Sequence, residues 1–327
     1  MQPFSFSQAR NRDDALVQLR QSGSVAIAGG TTLVDLMKLD VQSPPHLVDI
    51  NALPLNRIEA LPDGGLRIGA MVRNSDLAHD ETVKRRYPVL SQALLAGASA
   101  QLRNMATTGG NLMQRTRCYY FRDPAYAACN KRTPGSGCAA LEGFNRIHAV
   151  LGGSEHCVAA HPSDMAVALV ALDAVVHIIG PQGERRVPIE EFHKLPGDTP
   201  HIETAVQNGE LITYVTLPKS SFAQRSAYVK LRDRASYEFA LASAAVAVDM
   251  SGSTIRQVRV ALGGVATKPW RSHEAEQALT GAPSNAETFR AAAEAALKSA
   301  KPLRYNAFKI QLAKIALVRA LTQAVQA

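Results

Sequence analysis

Apolar positions recur along this chain at two spacings, and the switches between them mark its elements. Over residues 13–22 Ala15, Leu16 and Leu19 share one helical face, whereas residues 25–28, Val-Ala-Ile-Ala, read as a short buried strand. That strand runs into Gly29-Gly30-Thr31-Thr32; residues 33–38 then read as a helical turn and 46–50 as a second strand. The result is a small β–loop–α–β unit. Strand patterns at 57–61 and 66–68 flank Pro62-Asp63-Gly64-Gly65, a hairpin turn. Residues 74–79 and 87–96 carry helical spacing. So do 163–173, where Ser163 is placed to cap the first turn. Residues 174–179 and 184–188 are strands about the turn Gly180-Pro181-Gln182-Gly183, and 211–215 is another. The pattern breaks at 218–221, which predicts a domain boundary. Beyond it the spacing predicts a strand over 226–232, a helix over 239–246, a strand over 255–262, and Ala-rich helices over 286–297 and 308–324. There is no internal repeat and no low-complexity segment.

One stretch has neither spacing. After a second glycine loop, Ala106-Thr107-Thr108-Gly109-Gly110-Asn111-Leu112, residues 115–157 are too long for an ordinary connection in a compact domain. All four cysteines of the chain lie in it, ordered C-x10-C-x8-C-x18-C. Cysteines that fill a core are expected among apolar runs. Cys118 instead follows Arg-Thr-Arg, Cys129 precedes Asn-Lys-Arg, and Cys138 follows Pro-Gly-Ser-Gly. Three readings stay open on residue types alone. Four thiolates can ligate an iron–sulfur cluster or zinc, and the lack of two tight C-x2-4-C pairs favours a cluster held by separated loops. Disulfides need an oxidising compartment, and the first ten residues contain no apolar signal core. The third reading is four unrelated buried thiols.

Composition narrows the classes. A chain of 327 residues, 46% hydrophobic and 20% charged, is long enough for two or three domains with their own cores. The longest apolar run, residues 165–179, is broken by Asp173 and His177 and is too short to cross a bilayer. A net charge of +8 raises nucleic acid as a partner. Aromatics make up only 6%, however, and the basic residues cluster near the cysteines, which suits an anionic cofactor or a protein partner better.

The two glycine loops are the other chemical signal. A Gly-Gly pair between a strand and a helix lets backbone N–H groups approach a pyrophosphate, although it also makes an ordinary tight turn. Neither the G-x-G-x-x-G fingerprint nor a P-loop occurs. Two such loops in one domain suit the two ends of a long nucleotide cofactor. Asp164 and Lys230 read, taken alone, as a capping-region carboxylate and a strand-end charge. His148, His156 and His161 lie near the cysteines, yet four thiols already complete a site. No Ser/His/Asp or Cys/His constellation and no H-E-x-x-H is present.

Taken together, Ile27-Ala28-Gly29-Gly30-Thr31-Thr32-Leu33, residues 106–112 and Lys230-x3-Arg234-Ala235-Ser236 resemble the FAD-binding subunits of the xanthine dehydrogenase / molybdenum hydroxylase family, along essentially the whole chain. Residues 101–104, 129–143 and 160–166 are most similar to the branch that serves bacterial periplasmic aldehyde oxidoreductases of three different subunits. The cysteine insertion distinguishes that branch. The resemblance implies an α+β chain. Residues 1–220 would form a two-lobed FAD-binding domain of the vanillyl-alcohol-oxidase (PCMH) type, with lobes at about 1–56 and 57–220 and the insertion at about 115–158. Residues 221–327 would form a small α+β domain of the CO dehydrogenase flavoprotein type.

It further implies FAD held by Ile27, Ala28, Gly29, Gly30, Thr31, Thr32, Leu33, Thr108, Gly110 and Asn111, with Asp164 and Lys230 as polar contacts. A [4Fe–4S] cluster would sit on Cys118, Cys129, Cys138 and Cys157. The molybdenum cofactor and the aldehyde site would belong to a large partner subunit and [2Fe–2S] clusters to a small one, with an external electron acceptor and neither nucleic acid nor a membrane span. The implied location is the periplasm, reached by co-export with a signal-bearing partner after cytoplasmic assembly, or otherwise the cytoplasm. The alternatives carried are a stand-alone FAD oxidase of the same fold and a zinc-stabilised scaffold or nucleic-acid-binding protein.

Overall fold

A computed structural model describes residues 1–220 and 222–326, so Ser221, at the expected domain boundary, lies outside the described residues. Strands β1 (Ser5–Gln8), β2 (Ser24–Ile27) and β3 (His46–Asp49) form a parallel sheet in the order β1-β3-β2. Parallel strands need crossovers, and the helix Arg12–Leu19 carries the chain from β1 to β2, at the two edges of the sheet, burying Ala15, Leu16 and Leu19. Its first turn is capped by Asn11, whose side chain accepts from the Asp14 N–H. The polar edge strand β1 carries no apolar alternation. It is held by pairing with β3 and by Ser5 and Ser7, whose hydroxyls lie 2.7 and 2.9 Å from the two ring nitrogens of His46.

The second sheet is antiparallel: β4 (Ile58–Ala60), β5 (Leu66–Gly69), β6 (Val175–Gly180), β7 (Gly183–Pro188) and β8 (Leu211–Leu217), in the order β4-β5-β8-β6-β7. Both hairpins occur where turn residues separate apolar runs. The helix Asp164–Ala171 is buried along its whole length, and Ser163 caps it, accepting from the Ala166 N–H at 3.0 Å. Its residues share one core with Leu66, Ile68, Val176, Ile178, Val215 and the helix Pro88–Ala96.

The third sheet, β9 (Ser226–Leu231), β10 (Ala242–Ser251), β11 (Thr254–Gly263) and β12 (Trp270–Arg271), runs in the order β12-β11-β10-β9. The helices His273–Leu279, Ala286–Ala296 and Phe308–Gln326 pack on one side of it. Here the sequence expectation fails: residues 239–246 read as helix, but 242–251 are strand. Alanine favours helix in isolation. In β10, Ala242, Ala244, Val246 and Val248 meet the helices, Ala245 meets the core of the second sheet, and both edges of the strand are hydrogen-bonded. A strand buried on both faces shows no period-two pattern, and small side chains let both layers approach.

Residues 115–158 contain one short helix, Tyr119–Arg122, and isolated bridges that include Cys129 opposite Cys138. Among the described residues no helix is long and apolar enough to cross a membrane.

The C-terminal helix is tied to this irregular segment by a buried cation. Lys309 is 0% exposed, and its Nζ donates to the carbonyls of Gly264 (2.6 Å), His148 (2.9 Å) and Ile147 (3.0 Å). Burial pushes its pKa down to about 7, while three carbonyl oxygens receive its three donors. Replacing it with methionine (Lys309→Met) keeps the volume but leaves the Ile147 and Gly264 carbonyls unpaired and the His148 carbonyl with Asn306 alone. A loss of about 2–6 kcal/mol in unfolding free energy, from about 1–3 kcal/mol for each unpaired carbonyl, is expected by urea titration; a change under about 0.5 kcal/mol would mean that the carbonyls are satisfied without it.

Candidate cofactor cleft and thiol cluster

Residues 27–33 all line one cleft of about 640 Å³, a size suited to a cofactor. The loop enters it because its backbone lies directly against a second loop. A Cβ built on Gly29 would fall 1.9 Å from the carbonyl oxygen of Met105, so no other residue fits without displacing backbone. Gly30 has φ +68°, the left-handed region that favours glycine. Asn51 and Arg73 clip the two loops together. The Asn51 amide donates to Ala28 O at 3.0 Å, and the Arg73 guanidinium reaches Asn51 Oδ1 at 3.3 Å and also the Met105 carbonyl.

The second glycine loop forms the short helix Thr108–Leu112, with Thr107 as its cap accepting from the Gly110 N–H at 3.2 Å. Thr107, Gly109 and Gly110 line the cleft, whereas Thr108 and Asn111 do not. Thr108 is buried, with its hydroxyl donating to Val72 O at 3.1 Å. Asn111 Oδ1 accepts from the Ser163 hydroxyl at 2.6 Å and from the Gln114 amide at 2.7 Å, fastening the loop to the buried helix.

Asp164 and Lys230 stand outside this wall and engage each other. Lys230 Nζ is 2.8 Å from Asp164 Oδ2 and also donates to Ala96 O, while the Tyr228 hydroxyl donates to Asp164 Oδ1 at 2.5 Å. The pair is buried at 8% and 4% side-chain exposure, and burial together with the neighbouring carboxylate raises the Tyr228 pKa well above its ordinary value. Lys230 opens onto a separate surface cleft beside Arg146, Arg232 and Arg234.

The far wall of the main cleft was not singled out from sequence. Glu203 lies 2.7 Å from Arg115 and 3.3 Å from Lys131. Burial works against its charged form, but the two cations outweigh that and hold its pKa below the ordinary value. His161 and His193 meet edge to face at an interplanar angle of 65°, ring centroids 4.4 Å apart, and burial pushes both pKa values down, that of His193 to about 4. They are therefore neutral imidazoles at pH 7. His161 Nδ1 accepts from the Ser163 N–H, and His193 Nε2 donates to Leu112 O, while the other nitrogen of each has no partner among the described residues. Only the nearness of His161 to the cysteines had marked it; nothing local marks His193, Glu203, Asn51 or Arg73.

The four cysteines, spread over 40 positions, come together in one apolar cluster with Leu36, Tyr120, Phe121, Ala140, Val158 and Ala159. Cys118, Cys129 and Cys157 are buried, Cys138 is half-buried, and none is in a disulfide. Cys129 and Cys138 face each other across an antiparallel bridge, closing a loop in which Asn130 and Ser136 bond across. The Cys157 thiol hydrogen-bonds to Cys138, which lowers the pKa of Cys138 and raises that of Cys157. Burial pushes Cys118 up to about 12. Backbone N–H groups of Tyr120 and Phe121 face Cys118, those of Ala140, Leu141 and Val158 face Cys138, and that of Ala159 faces Cys157 at 3.5 Å. Amides aimed at sulfur stabilise thiolates, the form that binds metal.

Among the described residues, no three His, Cys, Asp or Glu side chains close on one point as the ligands of a single ion would. Tetrahedral zinc at 2.3 Å from each sulfur needs sulfurs about 3.8 Å apart. Four unbridged thiols gathered in one buried set are the donor type that an iron–sulfur cluster, with its separate irons, would use.

With this geometry established, comparison with known proteins is informative. Residues 2–220 match the family described as FAD binding domain in molybdopterin dehydrogenase, and residues 226–324 the CO dehydrogenase flavoprotein C-terminal domain. The chain is 53% identical over 326 residues to the aldehyde oxidoreductase FAD-binding subunit PaoB of Escherichia coli, covering 99% of each. It is 30% identical to the glyceraldehyde dehydrogenase medium chain of Sulfolobus acidocaldarius, covering 85% of this chain and 81% of that one. A carbon monoxide dehydrogenase structure from Hydrogenophaga pseudoflava superposes with TM-score 0.77 at 27% identity, covering 99% and 98% of the two chains.

The Gly29 contact makes a sharp expectation for flavin retention. Gly29→Ala forces the loops apart and should lower flavin occupancy at least tenfold, read as extracted flavin per protein, with far-UV circular dichroism unchanged. Full occupancy in that variant would show that the junction does not shape the binding site.

Proposed function

Because this chain belongs to the FAD-binding subunits of the molybdenum hydroxylase family, we propose that it is the electron-transferring flavin subunit of a heterotrimeric, molybdenum-dependent aldehyde oxidoreductase and that its four cysteines hold a [4Fe–4S] cluster. FAD binding and an oxidoreductase role follow from the family itself. The observation that carries the aldehyde assignment is the 53% identity, end to end, to a subunit named for that activity. The cluster is supported by a feature of this chain: four thiols from distant positions gathered in one buried, amide-lined site.

In this reading the partners are a large molybdenum-cofactor subunit and a small [2Fe–2S] subunit, and the aldehyde is oxidised on the former. Bound FAD supplies the conversion between one-electron and two-electron transfer. The residues of this chain bind and orient it. Residues 29–32 and Gly110 line the cleft where a pyrophosphate fits; the backbone N–H groups of residues 29–32 would be its donors, and Thr31 and Thr32 offer hydroxyls. Thr108 and Asn111 act one step back, holding the second loop to Val72 and Ser163. The Asp164–Lys230–Tyr228 group presents charge at the junction of helix Asp164–Ala171 with β9, where a polar edge of the cofactor can exchange partners with it. Arg115 and Lys131 keep the cleft positive beside Glu203. The proposed location is the periplasm, reached after cytoplasmic assembly by export with a signal-bearing partner.

Metal and flavin counts on the isolated protein test this reading. One FAD and about four irons per chain, with broad visible absorption, are expected; a protein with stoichiometric zinc and no iron would end the cluster assignment. Cys129→Ser should lose most of the iron. Retention of all of it would remove Cys129 from the ligand set.

A further inference from the structure

We infer that His148 is a positioning residue for the iron–sulfur site, donating a hydrogen bond from its Nε2 to the Cys118 sulfur and thereby raising the reduction potential of the cluster. The inference rests on the cluster reading above and adds a residue to it. His148 is 1% exposed, and its Nε2 lies 3.1 Å from Cys118 Sγ. Its Nδ1 has no partner among the described residues, so the sulfur is the polar contact that orients the ring. A metal-bound thiolate has no proton to give, so at this contact the imidazole must donate and the sulfur accept. Cys118 is the one cysteine whose sulfur meets a side-chain donor other than another cysteine among the described residues; the other donors at these sulfurs are backbone amides and, at Cys138, the Cys157 thiol.

The ring is held in place by its backbone. The His148 N–H donates to Asn145 O at 3.0 Å, and its carbonyl accepts from Lys309 Nζ at 2.9 Å and Asn306 Nδ2 at 3.3 Å. Tyr120, two residues after Cys118, packs against the imidazole at 6.1 Å between ring centres. The Cys118 contact is therefore fixed from two directions: by the turn that carries Cys118, and by the C-terminal helix through Lys309 and Asn306. A hydrogen bond to a ligating sulfur favours the more negative, reduced cluster, which moves the potential upward.

The test compares His148→Leu, which removes the donor, with His148→Gln, whose side-chain amide can place an N–H where Nε2 stood. Iron content and the midpoint potential from an electron-paramagnetic-resonance redox titration are read on the protein as isolated with its partner chains. A lower potential in the Leu variant with return toward the parent value in the Gln variant supports the inference. So does iron loss in the Leu variant that the Gln variant restores. An unchanged potential at full iron content in the Leu variant overturns it, as does equal iron loss in both, which would mark His148 as packing only. Failure of the underlying reading looks different: the parent complex would then show no [4Fe–4S] signal and no iron beyond that of the partner's [2Fe–2S] clusters.

Discussion

The approach of Gly29 to the carbonyl of Met105 is the contact on which the rest of the site depends. It brings the end of β2 against the segment that leads into the second glycine turn, so two lobes with separate cores share one cleft. The backbone groups at such a junction must be satisfied. Arg73 and Asn51 do this with side chains, accepting and donating across the seam. Glycine is required because the space for a Cβ is already filled, a stronger reason than turn geometry.

A second constraint runs through the cysteine segment. It has almost no regular structure, yet its polar groups are bound on every side. Arg132 donates to the carbonyls of Tyr120 and Phe121, Asn145 and Asn306 bond across to backbone, and Lys309 closes three carbonyls from the C-terminal helix. Arg117 and Arg122 share the carboxylate of Asp35 in the helix Leu33–Lys38, just after the first glycine loop. The segment therefore touches both the flavin-binding lobes and the C-terminal domain. Arg115 and Lys131 carry the same link to the cleft wall through Glu203. Whatever holds the four sulfurs together also stiffens one side of the cofactor cleft.

Buried thiols resist ionisation, and the rise of the Cys118 pKa shows how strongly. Amides turned toward Cys118, Cys138 and Cys157, and the imidazole beside Cys118, work against that burial. Such an arrangement makes little sense for thiols that serve only as small apolar fillers. It is chemically consistent with sulfurs that carry charge in the working protein.

The amino-acid sequence alone determined the features set by near neighbours: the two glycine turns, the capped helix at Ser163, the hairpins of the second sheet and the loop setting of the cysteines. Each depends on residues within a few positions, where turn chemistry and periodicity act. It also carried the family resemblance, through short motifs that survive intact. The tertiary structure decided what depends on distant partners. Ala242–Ser251 is a strand because sheet neighbours and two cores claim it against its alanine content. His193 and Glu203 reach the cleft, Asn51 and Arg73 brace the loops that form it, and Thr108 and Asn111 lie off its lining, through contacts spanning 22 to 88 residues. No local pattern encodes such contacts, because they form only when the three layers close and each buried polar group must find whichever partner the packing brings to it.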